Sequence, residues 1–238
     1  MKLSIVIPTK NSASNIFLTL ESVLKQRLEN IEIIVVDAGS NDNTIALVQN
    51  SYVKLLQLHQ KDSFSLYALL NKGLEIAQGE WVTFLRPGDC YLNNTILQEC
   101  LDTLQYSDCN FLYGGAWYQK RQLAPLIYKN VLNSKNLKRG LAPSLLSSFI
   151  FKTDFLRQYS FNERFITCAD FELFCRLKNQ PMLLSNKVIV DVRATQKSLT
   201  QELEMAYEKF CIIFESFGLW AALTSLKNPL MKILGLQT

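Results

Sequence analysis

Trp81-Val-Thr-Phe-Leu-Arg-Pro-Gly-Asp89 is an apolar run that stops at a Pro-Gly turn and ends on a carboxylate. Such a pattern describes a buried strand presenting an acid at its carboxyl end, which is where open α/β sheets bind their ligands. Two earlier runs behave the same way. Leu3-Ser-Ile-Val-Ile-Pro8-Thr9 ends in Pro-Thr, and Ile31-Glu-Ile-Ile-Val-Val36-Asp37-Ala-Gly39-Ser40 ends in an acid followed by Gly-Ser. Three strand ends converging on one edge define a candidate site.

Working outward, short β-branched runs alternate with helical patterns over the first hundred residues, which predicts a parallel sheet with crossover helices. Ser14 is expected to cap a helix with Ile16, Phe17, Leu20, Val23 and Leu24 on its inner face. Asp42 or Ser40 caps a short helix carrying Ile45, Leu47 and Val48. A third strand is expected at Tyr52–Leu58, a helix at Ser65–Ala77 stopped by Gly79, and a fourth strand at Trp81–Leu85. Beyond Asp89 the pattern predicts a helix near Thr95–Leu104, a strand at Phe111–Tyr113 and a hairpin over Ala116–Tyr128. It continues with a mobile loop over Asn130–Pro143, a strand at Ser147–Phe151, a helix at Asp170–Asn179 and a last strand at Lys187–Val192. Ser198-Leu-Thr-Gln201 reads as a capping box opening a long helix to Phe217. The apolar tail from Cys211 to Leu236 fits a helix packed on the domain or on a partner, and also a membrane-surface segment.

The chain has 238 residues, 48% hydrophobic and 19% charged, enough for one well-buried α/β domain with a small appendage. A net charge of +4 with scattered Lys and Arg gives no nucleic-acid footprint. A phosphorylated small molecule or an anionic membrane surface stays compatible with it. The six cysteines show no C-x-x-C spacing, and His59 is the single histidine, so no zinc set or Cys-His nucleophile pair is expected. Free thiols, a start without a secretory pattern and no run near the ~20 apolar residues of a membrane span lead to the expectation of a cytoplasmic protein, with room for peripheral contact at the inner face of the membrane.

Taken in order, the motifs resemble those of the family 2 glycosyltransferases, inverting enzymes of the GT-A fold. The resemblance runs through Ser4-Ile-Val-Ile-Pro8-Thr9-Lys-Asn11, Ser22-Val-Leu-Lys-Gln26, Val35-Val-Asp37-Ala-Gly39-Ser40-Asn-Asp42-Asn-Thr44, Leu70-Asn71-Lys-Gly73-Leu-Glu-Ile-Ala77-Gln-Gly79 and Phe84-Leu-Arg86-Pro-Gly-Asp89. It reappears at Ala169-Asp170-Phe-Glu-Leu173-Phe-Cys-Arg176. Single motifs of this kind are weak, and the ordered set is specific. The resemblance implies a mixed, mostly parallel α/β sheet flanked by helices over 1–195, a C-terminal helical extension over 196–238, and sugar transfer from a nucleotide-sugar donor to an acceptor hydroxyl. A growing glycan, lipid-linked or free, is the implied acceptor in cell-surface polysaccharide or glycolipid synthesis, and self-association is compatible with it.

Within that resemblance Pro8, Thr9, Asn11, Asp37, Gly39, Ser40, Asn71 and Arg86 are the expected nucleotide-sugar-binding residues. Asp37 can accept from a base N–H or from ribose hydroxyls, and Asp37-Ala-Gly-Ser equally fits an Asx-capped turn. Asp89 matches the last acid of the family's Asp-x-Asp-type element, which holds Mg²⁺ or Mn²⁺ against the diphosphate; seen alone, an Asp after Pro-Gly is also an ordinary turn residue. Asp170 matches the general base and also fits a helix N-cap. The chain departs from the pattern at Arg86-Pro87-Gly88, where relatives carry further acids, at Ala68, at Leu145-Leu146 and at Ala194–Ser198. Arg86 could neutralise diphosphate charge in place of those acids, or be a solvated loop cation. Two other readings follow: a catalytically impaired nucleotide-sugar-binding or partner-regulating relative, and a nucleotidyltransferase, for which Pro8–Ser12 makes a poor phosphate loop.

Overall fold

The computed structural model describes residues 2–49, 51, 53–58, 64–119, 126–193 and 198–226. Tyr52 in the expected third strand, His59, the turn of the 116–128 hairpin at 120–125, the 194–197 segment and the tail from 227 lie outside them. β1 (Leu3–Thr9), β2 (Ile31–Asp37), β3 (Lys54–Gln57) and β4 (Trp81–Phe84) form the parallel half of one sheet, connected through α1 (Ile16–Leu24), α2 (Thr44–Gln49) and α3 (Leu66–Ile76). Every residue of β1 and the last five of β2 are buried, as strands covered by crossover helices require. Register pairs Thr9 with Asp37, and the Leu85 N–H donates to the Val6 carbonyl, so the ends of β2, β1 and β4 lie side by side. Pro8 is tolerated inside β1 because the β4 ladder stops at Val6 opposite Phe84.

The chain continues through β5 (Cys90–Tyr91), α4 (Ile96–Gln105), β6 (Phe111–Gln119), β7 (Leu126–Tyr128), α5 (Ser134–Lys138), β8 (Phe149–Lys152), α6 (Thr153–Tyr159), α7 (Ala169–Leu177), β9 (Met182–Arg193), α8 (Leu199–Phe217) and α9 (Leu219–Ser225). The strand order is β3-β2-β1-β4-β8-β6-β9-β5, with β7 also paired to β6. Only β5, β7 and β8 oppose the common direction among the described strands, which is the expected mixed, mostly parallel sheet. An aromatic ladder seats β8: Tyr113 stacks on Phe149 at 4.9 Å between ring centroids, and Phe111 lies 5.6 Å from Phe151. Because β8 is antiparallel to β4, its first residue emerges at the edge where β4 ends, and Thr83 Oγ1 fastens the two by donating to the Phe149 carbonyl at 2.7 Å.

Several local expectations are corrected. α1 turns Ile16, Thr19, Leu20 and Val23 inward, the i, i+3, i+4, i+7 set, while Phe17 and Leu24 are exposed; Asn15 rather than Ser14 precedes the first turn. Gly114-Gly115 does not end a strand: β6 runs through it, and the register shifts there as a β-bulge. The expected 130–143 loop contains α5, capped by Asn133 Oδ1, which accepts from the Asn136 N–H at 2.8 Å. β9 begins five residues earlier than expected, and α6 and β5 carried no pattern the sequence analysis recognised. The Ser198–Gln201 capping box is present and opens α8 as expected.

The chain divides into two compact units: Met1–Lys129 with Ser144–Phe161 and Gln180–Ala194, and Asn130–Pro143 with Asn162–Asn179 and Thr195–Thr238. The first holds the sheet. In the second, α8 is the spine against which α5, α7 and α9 pack. No helix among the described residues is long and apolar enough to cross a membrane. All six cysteines are free thiols.

α3 approaches the sheet closely at Gly73, where a Cβ would stand 2.2 Å from Val6 Cγ1. Val6 is β-branched and fully buried, so it cannot swing aside. Alanine would gain about 1 kcal/mol of helix propensity against roughly 1–3 kcal/mol of overpacking. Gly73→Ala is therefore expected to lower the melting temperature by a few degrees, with Val6→Ala in the same background recovering part of it. A Gly73→Ala protein as heat-resistant as the parent would show that this contact does not set the α3 seat.

Candidate active site

The edge formed by the ends of β2, β1 and β4 gathers most of the expected site residues. At the end of β2, Asp37 is fully buried and its carboxylate is engaged by protein donors: Oδ2 accepts from the N–H groups of Gly39 and Ser40 at 2.9 and 2.8 Å, and Oδ1 from the Ser40 hydroxyl. Gly39 supplies the positive φ of 74° that this tight turn needs. The Asx-turn reading of this segment thus holds in the structure, and Asp37 organises the loop from inside. Asn11, itself at φ 49°, donates its N–H to Ser40 Oγ at 2.8 Å and accepts from the Asn41 N–H at 2.9 Å. The β1 and β2 loops are stitched further by Asp42 and Thr44. The Ser12 N–H reaches Thr44 Oγ1, the Ala13 N–H reaches Asp42 Oδ2, and the Thr44 hydrogen bond is the main reason the Asp42 pKa is lowered.

Thr9, between these loops and β4, presents a different case. It is 2% exposed and its hydroxyl has no hydrogen-bond partner among the described residues. A buried hydroxyl left unpaired costs on the order of 1–3 kcal/mol, so a polar group left this way at a strand end suits a site that a ligand or water completes.

The Arg86–Asp89 turn at the end of β4 is held by a residue the sequence analysis passed over. Thr19, buried on the inner face of α1, accepts from the Gly88 N–H at 2.8 Å and donates to the Asp89 carbonyl at 2.9 Å. Gly88 has φ 97°, a conformation that disfavours any side chain. The Asp89 side chain is 4% exposed and faces Ser147, which precedes β8 and donates to Oδ2 at 3.0 Å. Arg86 Nε approaches the same oxygen at 3.4 Å with its own side chain half exposed. Burial pushes the Asp89 pKa up, and Arg86 and Ser147 offset only part of that. Ser147 was missed because its only sequence signal is a polar position before a strand 58 residues away.

The remaining expected residues lie elsewhere. Asn71, on α3, spends its amide on the Phe161 backbone, donating to the carbonyl and accepting from the N–H, both at 2.9 Å. That pairing fastens the end of the first unit. Asp170 belongs to the second unit. It lies inside the first turn of α7, with Cys168 in the N-cap position, so the expected N-cap role is corrected; its Oδ1 accepts from the Phe171 N–H at 2.8 Å.

As a cation site, the edge offers the Asp89 carboxylate, since that of Asp37 is engaged by Gly39 and Ser40. No group of three or more His, Cys, Asp or Glu that could hold a metal occurs among the described residues. Among the described residues, both side-chain donors to Asp89 sit on Oδ2. The residues fit a hard cation that takes one protein oxygen and completes its shell with phosphate oxygens and water, the usual habit of Mg²⁺.

An open α/β sheet with its polar residues at the carboxyl edge defines the class of proteins that bind ligands at their strand ends. Within that class the chain belongs to glycosyl transferase family 2, whose model matches residues 4–163. It is 27% identical over 230 residues to an uncharacterised glycosyltransferase of Rickettsia felis, a match covering 90% of this chain and 38% of that protein. A PGL/p-HBAD biosynthesis glycosyltransferase of Mycobacterium bovis is 25% identical over 205 residues, 79% of this chain and 74% of that one. The fold matches that of Staphylococcus aureus TarS residues 1–349 crystallised with UDP, with a TM-score of 0.71, 21% identity and coverage of 100% and 73%. It also matches a Pyrobaculum calidifontis mannosyltransferase crystallised with GDP-Man and Mn²⁺, with a TM-score of 0.67, 15% identity and coverage of 100% and 76%. The GT-A architecture expected from the motifs is thereby established. The chain spans about two fifths of the length of the rickettsial glycosyltransferases it matches.

The raised Asp89 pKa has a testable consequence. The folded chain holds this proton more tightly than the unfolded chain does, so an ionised Asp89 destabilises the fold at neutral pH. That penalty shrinks as pH falls through the folded pKa and is gone below the ordinary value of 3.8. Asp89→Asn is expected to melt a few degrees above the parent at pH 7, with the gap closing as the pH is lowered toward 4. A variant that melts below the parent at pH 7 would mean that the Arg86 and Ser147 contacts outweigh the burial.

Proposed function

We propose that this chain is an inverting glycosyltransferase domain that moves a sugar from a nucleotide-sugar to an acceptor hydroxyl. The observation that carries the reading is the buried Asp89 carboxylate, fixed at the end of β4 beside the strand ends of Thr9 and Asp37. The loops after β1 and β2, ordered by Asn11, Asp37, Gly39 and Ser40, hold the nucleoside, and Pro8 and Thr9 form the floor beneath it. A divalent cation bound at Asp89, Mg²⁺ or Mn²⁺, supplies charge for the leaving diphosphate. Arg86, half exposed and paired to Asp89 at a stretched 3.4 Å, turns toward the diphosphate and carries part of the same load.

The acceptor oxygen attacks the anomeric carbon from the side opposite the diphosphate. Asp170 takes the hydroxyl proton, the new glycosidic bond forms, and the nucleoside diphosphate leaves with the bonding electrons, so the centre inverts. A cell-surface glycan or glycolipid intermediate is the acceptor class that the mycobacterial relative supports. Such an acceptor fits an enzyme that works at the inner face of a membrane, in peripheral contact with it.

A melting-temperature screen of UDP-, GDP- and dTDP-sugars with and without Mn²⁺ tests the donor half. One nucleotide class is expected to stabilise the protein, by about 2.7 kcal/mol at a hundredfold excess over Kd, and Asp89→Ala to lose the Mn²⁺-dependent part. No stabilisation by any of the three classes would remove the reading. Asp170→Asn should keep the donor shift and lose roughly 10²–10⁴-fold in transfer or donor hydrolysis. Equal activity would strip Asp170 of its role, whereas a parent that binds donor yet neither transfers nor hydrolyses it would favour a binding relative.

Arg86→Ala should weaken donor affinity about tenfold and steepen the Mn²⁺ requirement. Unchanged affinity and metal response would make Arg86 a solvated loop cation.

A further inference from the structure

The turn that carries Asp170 is not held by its own helix alone. Three consecutive N–H groups ahead of α7 converge on one carboxylate, that of Glu208 in the middle of α8. Glu208 Oε1 accepts from the Ile166 N–H at 2.8 Å; Oε2 accepts from the Thr167 and Cys168 N–H groups, each at 2.9 Å, and from the Thr167 hydroxyl at 2.8 Å. Four hydrogen bonds to one carboxylate are charge-assisted and directional, so they fix the orientation of the peptide planes as well as their distance. The neighbouring contacts tie the same segment to the same helix. Cys168 Sγ meets the Met205 carbonyl at 3.7 Å, Lys209 Nζ lies over the Phe171 ring at 5.3 Å, and Arg164 pairs with Glu215 at 2.9 Å.

Cys168 is the N-cap residue of α7 but contributes no capping side chain. Glu208 instead takes the N–H of that N-cap residue and of the two residues before it, and its charge lies favourably at the positive end of the α7 dipole. Asp170 is two residues beyond the last amide that Glu208 binds, on the first turn of the helix so anchored. With one oxygen on the Phe171 N–H, its orientation follows the turn.

We propose that Glu208 is a positioning residue for Asp170: α8 reaches across to hold residues 166–168 and thereby sets where the Asp170 carboxylate stands. This rests on the reading of Asp170 as the base. It makes the capping-box helix after residue 198 part of the catalytic apparatus rather than an appendage.

The test uses the full 238-residue chain with Glu208→Gln, Glu208→Asp and Asp170→Asn. Two readouts are taken: amide hydrogen exchange at residues 166–168, and hydrolysis of whichever UDP-, GDP- or dTDP-sugar stabilises the parent most. A glutamine keeps the size but offers one acceptor oxygen and turns an NH₂ group toward N–H donors. Exchange at the three amides should accelerate at least about tenfold, and hydrolysis kcat should fall about 10–100-fold toward the Asp170→Asn level with the donor KM within about twofold. Glu208→Asp, which restores the charge, should recover part of both. Unchanged exchange in Glu208→Gln overturns the proposal, as does unchanged kcat when Asp170→Asn is crippled. Loss of kcat with an equal rise in donor KM also overturns it, because that pattern belongs to general damage. Were Asp170→Asn fully active, the base assignment would fall by itself, and exchange alone would decide whether Glu208 holds the turn.

Discussion

A single hydroxyl inside α1 holds the turn on which the donor edge depends. Thr19 stands where the helix faces the sheet, and its oxygen both accepts from Gly88 and donates to the Asp89 carbonyl. Without those bonds the backbone after β4 would have two polar groups facing an apolar helix, and Gly88 at φ 97° would lose the partner that makes its conformation worthwhile. Asp89 can be buried and still point one way because its own backbone is pinned at two points. Ser147 then adds the third constraint from β8, and it arrives there only because β8 runs antiparallel between β4 and β6.

Strand ends were legible in the sequence because a run such as Leu3–Thr9 or Ile31–Asp37 is apolar to its last residues and then abruptly polar, and nothing but a buried strand reaching an edge has that profile. Thr19 was not legible for the converse reason. Hydrophobic periodicity selects Phe17 and Leu24, which prove exposed, and discards the one polar residue on the inward face. Ser147 depends on a pairing between distant segments, which local pattern does not encode. Gly114-Gly115 falls between the expected strand at Phe111–Tyr113 and the expected hairpin from Ala116, and a Cβ at Gly114 would meet the Lys187 carbonyl at 2.6 Å; the glycines mark close strand approach at a bulge.

Among the expected polar residues, the sequence could name positions without distinguishing the groups that build the site from those a ligand would meet. Asp37 and Asn71 both carry motif signatures, and both are occupied by backbone donors and acceptors of their own chain. A side chain of this kind acts by fixing a loop whose backbone groups then face outward. Thr9 and Asp89 are different in kind, since one has no hydroxyl partner among the described residues and the other has its carboxylate destabilised by burial. Those costs are carried by the fold, and they sit at the ends of adjacent strands.

The second unit applies the same division of labour with other residues. Asp170 resembles a base by motif, yet the bonds that hold its turn are made by Glu208, a residue with no motif at all and 38 positions away in sequence. Helical periodicity predicts only that α8 has an inner face; it cannot say that a glutamate on that helix would bind the three amides that lead into α7. Carboxylates within each unit therefore divide by what they accept from. Asp37 and Glu208 accept from backbone N–H groups and give their loops shape, while the side-chain contacts of Asp89 are with Arg86 and Ser147.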